Sequence, residues 1–136
     1  MISGLNHITL AVSDLDRSFD FYSGVLGFDP IARWNKGAYL EKGDIWLALL
    51  VDLKVKEAQR PDYSHIALGC TDDDFPTLVQ ALEREGCASW SENVSEGDSF
   101  YFLDPDGHKL EIHVGDLSTR LRAMKENPWT EIQFFR

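Results

Sequence analysis

The sequence contains two copies of one short segment, and this repeat constrains the fold more than any other feature. Residues 6–12 read NHITLAV and residues 64–70 read SHIALGC, so the two segments match position by position. Their alternating apolar residues predict a strand with one buried face. A short acidic segment follows each copy, at 13–16 and at 71–74, and can cap a helix. The chain is therefore expected to fold as two similar halves.

Both halves continue with the same order of predicted elements. Each has apolar residues at helical spacing that end before a glycine, Gly27 or Gly86, which predicts a helix with a glycine C-cap. Strand-like runs with turn signals follow the helix in both halves. We expect an α+β fold of two βαβββ modules paired through their sheets, because half of a 136-residue chain cannot bury both its sheet and its helix. The predicted parts of this single domain are module one at about 1–58, module two at about 59–116, and a C-terminal helix and tail at 117–136.

Composition excludes several classes of partner. The chain carries 13 basic and 23 acidic side chains, and its net charge of -10 disfavours nucleic acid and anionic lipid. Its longest apolar run, 45–51, is far shorter than the roughly 20 residues of a membrane helix, and no signal peptide is evident at the N-terminus. These features predict a cytoplasmic protein. Cys70 and Cys87 form no metal-binding or redox pattern and are given no role.

Three polar side chains are predicted on the sheet faces that do not carry helices. His7 and His65 occupy equivalent positions of the repeat, and Glu111 alternates with apolar residues in the last strand. Two imidazoles and a carboxylate commonly bind a divalent transition metal, and from these ligands alone Mn2+, Zn2+ and Fe2+ all stay possible. His113 is an alternative ligand to Glu111, whereas His108 falls in a predicted turn.

Four segments carry a family resemblance that spans essentially the whole chain. They read GLNHITLAV at 4–12, GAYL at 37–40, DYSH at 62–65 and SEGDSFYFLDPDGHKLE at 95–111. With these segments the chain resembles the vicinal-oxygen-chelate superfamily and, within it, the FosA-type fosfomycin glutathione transferases. The resemblance implies a homodimer that exchanges modules, so that His7 comes from one subunit and His65 with Glu111 from the other. It also implies Mn2+ as the metal and fosfomycin and glutathione as substrates.

The same resemblance implies roles for further residues. Thr9 would contact the oxirane oxygen or the phosphonate, and Tyr39 would assist the glutathione thiol. Four residues match the antibiotic pocket of the family: Trp46, Tyr63, Tyr101 and Arg120. Five match a loop that binds an activating K+: Asn93, Ser95, Glu96, Gly97 and Ser99.

The chain departs from the family pattern at three substrate positions. Ser91 replaces a lysine that contacts the phosphonate, Val94 replaces an arginine, and Leu50 replaces a serine near the glutathione channel. Thr9, where bacillithiol-using relatives usually have cysteine, favours glutathione, and Gly37 disfavours hydrolysis because related hydrolases have a general-base glutamate near this position. The alternatives are another metal-dependent activity, of the glyoxalase or dioxygenase type, and a non-catalytic antibiotic-binding protein.

Overall fold

A computed structural model describes residues 1–135, and Arg136, the last residue of the predicted tail, lies outside them. Module one has a four-stranded sheet with the strand order β1-β4-β3-β2. Its strands are β1 (Ile8–Val12), β2 (Asp29–Trp34), β3 (Gly37–Lys42) and β4 (Ile45–Val51). The helix α1 (Leu15–Asp20) follows β1 and continues as a π-helical turn, Phe21–Val25. A short 3-10 helix, Leu53–Glu57, follows β4.

Module two repeats this order with one strand fewer. It contains β5 (Ile66–Gly69), α2 (Phe75–Arg84), β6 (Ser99–Leu103) and β7 (Lys109–His113), with the sheet order β5-β7-β6. The third strand expected after α2 is reduced to one bridge between Ser89 and Phe102. The terminal helix is confirmed as α3 (Leu117–Glu126).

Local signals set the ends of the helices. Asp14 caps α1 by accepting a hydrogen bond from the Arg17 main chain, and Gly27 and Gly86 adopt φ values of 79° and 73° after the helical segments, as the sequence predicts. At the start of α2 the hydrogen bond involves Thr71, the first residue of the expected capping segment 71–74. Asp74 makes no side-chain cap, and the Thr71 hydroxyl instead accepts from the Asp74 main chain at 3.2 Å.

The apolar faces of both sheets contribute to one continuous core. Tyr22 from module one and Phe102 from module two are almost completely buried, and Leu10, Leu49 and Ile112 pack in the same cluster. Burial of each such side chain contributes about 1.5–3 kcal/mol. The modules therefore pack through the faces that carry helices, which leaves the opposite face of each sheet available for a site.

The expected pairing of the modules through their sheets is confirmed as packing into a common core, while each sheet keeps its own set of strands. β1 and β5 are outer strands, and no ladder joins them among residues 1–135. The first strand of each module pairs in parallel with its last strand, and Ile8 pairs with Leu47 as Ile66 pairs with Leu110. These two pairings show which residues of the modules are equivalent. None of the helices in residues 1–135 is long and apolar enough to cross a membrane.

Candidate metal centre

Two of the predicted ligands meet on the open face of module two. His65 directly precedes β5, and Glu111 lies in β7 opposite Ala67. The distance from His65 Nε2 to Glu111 Oε1 is 3.0 Å, and the Glu111 side chain is only 6% exposed. A carboxylate buried to this extent requires strong partners, since removing it from water is costly.

The hydrogen bonds of His65 indicate that its Nε2 is available to a metal. Its Nδ1 lies 2.8 Å from the carbonyl oxygen of Tyr63, and because a carbonyl only accepts, Nδ1 must donate. In the neutral imidazole the Nε2 lone pair then faces the Glu111 carboxylate. Two acceptors 3.0 Å apart repel each other unless a proton or a cation lies between them. The pair therefore has the chemistry of a metal ligand set.

The second oxygen of Glu111 is held by the neighbouring strand. The Ser99 hydroxyl donates to Glu111 Oε2 at 2.7 Å and accepts from His113 Nδ1 at 2.6 Å. His113 Nε2 lies 3.6 Å from Glu96 Oε1. His113, the alternative ligand, is thus directed towards Ser99 and Glu96, whereas His65 Nε2 lies 3.0 Å from Glu111 Oε1.

The corresponding face of module one carries His7 and Thr9. The His7 ring packs against Trp46 with 4.5 Å between centroids, and its Nδ1 contacts the Asn6 side-chain oxygen at 2.7 Å, which again leaves Nε2 for a ligand. Thr9 is exposed, as expected from the alternation in β1. In module one Ala48 is the counterpart of Glu111, because Ala48 pairs with Thr9 as Glu111 pairs with Ala67.

The single chain does not bring the three predicted ligands together. Among residues 1–135 no three His, Cys, Asp or Glu side chains form a metal-binding group. His65 and Glu111 are adjacent, whereas the contacts of His7 are with Asn6 and Trp46. The triad stays a prediction, and in one chain its two halves lie on different sheets.

Aromatic side chains line both open faces. In module one Tyr39 packs between Trp34 and Trp46, at centroid distances of 4.9 and 5.3 Å, and all three are more than one-third exposed. In module two Tyr101, the counterpart of Tyr39, is buried at 5.9 Å from the His65 ring. Burial raises the pKa of Tyr101 above its ordinary value, and the adjacent Tyr63 and Glu111 add to this shift.

Sequence reasoning missed Trp90 as a residue of this face. Its indole donates to the Leu110 carbonyl at 3.0 Å, and its ring lies 5.1 Å from His65 and 5.5 Å from Tyr63. The Lys109 ammonium lies 5.2 Å from the ring centroid. Only its place beside Ser91 in the family-like segment could have indicated this role, because no periodic pattern includes Trp90.

The predicted K+ loop is a compact turn beside the terminal helix. The Asn93 side chain accepts from the Ser95 main chain at 3.1 Å and donates to the Gly97 carbonyl at 2.7 Å. Gly97 has φ 77°, and a Cβ there would lie 2.4 Å from the Val114 carbonyl oxygen, so a larger residue does not fit. Arg120 donates through Nε to Glu96 at 3.0 Å and through Nη2 to Ser95 at 3.2 Å. The loop thus fixes the direction of the Arg120 guanidinium.

Comparison with known proteins identifies relatives along almost the whole chain. Residues 4–112 match the family model of the Glyoxalase/Bleomycin resistance protein/Dioxygenase superfamily. The glutathione transferase FosA of Serratia marcescens is 50% identical over 136 residues, which cover 98% of this chain and 96% of that protein.

Solved structures of fosfomycin resistance proteins have the same fold. FosX from Mesorhizobium loti has a TM-score of 0.77 at 35% identity, covering 89% of this chain and 99% of that one. FosX from Listeria monocytogenes, solved with Mn(II) and sulfate, has a TM-score of 0.79 at 29% identity, covering 90% and 98%. With its repeated modules, two open sheet faces and relatives of matching length, the chain belongs to the Glyoxalase/Bleomycin resistance protein/Dioxygenase superfamily.

Proposed function

We propose that this protein is a metal-dependent glutathione transferase that opens the epoxide of fosfomycin by thiol addition. The observation that carries the proposal is the position of His65 Nε2 at 3.0 Å from the buried Glu111 carboxylate. The 50% identity to the Serratia FosA glutathione transferase supports the choice of reaction.

The metal would be held by His7 of one subunit and by His65 and Glu111 of the other. Module exchange in a homodimer supplies the missing third ligand, because one chain presents the two halves on separate sheets. Mn2+ is the proposed metal, and the Mn(II) in the Listeria FosX structure supports it. When bound, the metal supplies Lewis acidity to the oxirane oxygen as negative charge develops there.

Residues of module one would act on the reacting atoms. The thiol sulfur forms a bond to an oxirane carbon while the carbon–oxygen bond breaks, and the oxygen takes up a proton as the thiol loses one. Thr9, exposed on the open face, would hydrogen-bond the oxygen or the phosphonate, and Tyr39 would assist the thiol. The Tyr39 ring is fixed between Trp34 and Trp46, which orients its hydroxyl without a loss of entropy on binding.

Arg120 is the proposed anchor for the phosphonate. Its Nε and Nη2 are bound to Glu96 and Ser95, while Nη1 has no hydrogen bond within residues 1–135 and is available to an anion. Trp46, Tyr63 and Tyr101 would line the same pocket. The proposed K+ ligands are oxygen atoms of the loop 93–99, because hard oxygen donors suit this ion. They belong to Asn93, Ser95, Glu96, Gly97 and Ser99.

Packing at Gly37 supports thiol addition over hydrolysis. A Cβ built at Gly37 would lie 2.7 Å from the Leu49 carbonyl oxygen and equally close to side-chain atoms of Leu50 and Trp34. A general-base glutamate therefore does not fit at this position without movement of the backbone. Water consequently lacks the base that the related hydrolases provide there.

Mass spectrometry of fosfomycin incubated with glutathione, the protein, Mn2+ and K+ tests the proposal. We expect a product with the mass of the glutathione adduct, which should disappear when the metal is removed with a chelator. Omission of glutathione should leave fosfomycin intact, because no residue at position 37 activates water. A diol product, or a drug that binds without turnover, would refute the proposed reaction and favour a hydrolase or a sequestering protein.

A further inference from the structure

The turn at residues 104–108 of module two contacts the end of β1 in module one. His108 Nε2 lies 2.8 Å from the carbonyl oxygen of Ala11 and, since a carbonyl only accepts, donates to it. The buried Asp106 carboxylate accepts from the main chain of Ser13 at 3.1 Å and from its hydroxyl at 2.6 Å. The proposed metal site with His7 and Glu111 does not account for these contacts.

The His108 bond is made on the unpaired edge of β1. The Val12 carbonyl accepts from Asp52 at 3.0 Å, so it points towards the β4 side of the sheet. Successive carbonyls of a strand point in opposite directions, and the Ala11 carbonyl therefore points to the outer edge, as does that of Thr9. The sheet order makes β1 an outer strand, so His108 provides a hydrogen bond on an edge where no other strand of residues 1–135 lies.

Within residues 1–135 the equivalent junction at the end of β5 has no such contact. The two registers, Ile8 with Leu47 and Ile66 with Leu110, make Ile45 the counterpart of His108. An isoleucine side chain cannot donate a hydrogen bond. There the end of β5 adjoins a cavity of about 650 Å³, lined in part by Lys42, Gly69 and Thr71. The molecule thus anchors the edge of β1 and leaves that of β5 open.

We infer that His108 is a positioning residue that acts through Ala11 to fix β1, and with it His7 and Thr9, on module two of its own chain. The inference rests on the proposed function for the roles of His7 and Thr9. A strand that is hydrogen-bonded on both edges bends and frays less, so the residues before Ala11 keep their position. A misplacement of about 1 Å in such groups can lower a rate about a hundredfold.

Two substitutions separate the hydrogen bond from the bulk of the side chain. In His108→Gln the amide nitrogen occupies nearly the place of Nε2 and can still donate to Ala11, whereas His108→Met has similar volume without a donor. Arg60→Met is the matched control, because Arg60 binds the same turn through the Asp106 carbonyl at 3.1 Å without reaching β1.

The measurements are hydrogen exchange of the dimer and steady-state kinetics with Mn2+, K+ and glutathione. For His108→Met we expect faster exchange in residues 8–12, no change in residues 109–113, and a kcat at least about tenfold lower with little change in the KM for glutathione. His108→Gln and Arg60→Met should behave as the wild type does in both measurements.

Three results would overturn the inference. The first is that hydrogen exchange in residues 8–12 of His108→Met is unchanged. The second is that exchange in His108→Met becomes faster to the same extent along the whole chain. The third is that His108→Gln is as impaired as His108→Met. If the wild type fails to add thiol to fosfomycin while exchange still changes only in β1 of His108→Met, the proposed function is wrong and the positioning of β1 by His108 is supported.

Discussion

The proposed origin of His7 and Glu111 in different subunits predicts the outcome of a complementation experiment. Two variants that are each expected to be inactive, His7→Ala and Glu111→Ala, are mixed in equal amounts and allowed to exchange subunits. In the single chain His65 and Glu111 are 3.0 Å apart and His7 packs on Trp46 of the other sheet. Each substitution therefore damages a different half of the site.

The expected recovery is about a quarter of wild-type activity. After complete exchange about half of the dimers contain one chain of each kind, and one of the two sites in each such dimer has all three ligands. If instead every site were built within one chain, each site in the mixture would lack a ligand and no activity would return.

The assay is formation of the glutathione adduct, with subunit exchange verified by native mass spectrometry. A mixture of His65→Ala with Glu111→Ala is the matched control, because both residues belong to module two and every mixed site would still lack one of them. Failure of the first mixture to gain activity despite verified exchange would refute the intersubunit site. Equal recovery in the control would refute the assignment of ligands to modules.

Three further predictions concern single substitutions. Glu111→Ala should weaken Mn2+ binding by more than about tenfold, measured by metal analysis of the folded protein, because it removes a proposed ligand, and full metal content would exclude Glu111 from the site. Ser91→Lys should raise kcat/KM for fosfomycin about tenfold for each 1.4 kcal/mol of recovered transition-state stabilisation, and an unchanged value would indicate a pocket adapted to serine. Tyr22→Phe removes the buried 2.6 Å bond to Asp104 and should lower the free energy of unfolding by about 1.5–3 kcal/mol in urea titrations. Burial raises the pKa of Tyr22 well above its ordinary value of 10.0. Above pH 10.0 the tyrosine of the unfolded chain therefore ionises first, and the wild type should lose stability as the pH rises. Tyr22→Phe should lose less stability over the same range, and equal losses would contradict this assignment.

Local patterns were sufficient to predict the repeated elements. Strand alternation placed Thr9 on an exposed face and Leu10 on a buried one, as β1 has them. Gly27 and Gly86 marked the ends of helical segments because a positive φ favours glycine. The pairing of His65 with Glu111 also followed from the sequence, since neighbouring strands of a module bring the same face of each together.

Contacts between distant residues were decided by the tertiary structure. Sequence periodicity does not report which strands become sheet edges, so it left open whether the modules meet face to face or edge to edge. In residues 1–135 they share one core and keep two sheets. The periodicity gave no indication that His108 would reach Ala11 or that the Trp90 ring would pack on His65. The sequence determined which residues share a face because that depends on strand geometry over a few residues. The contacts of those faces depend on how the modules pack, and this is a property of the whole chain.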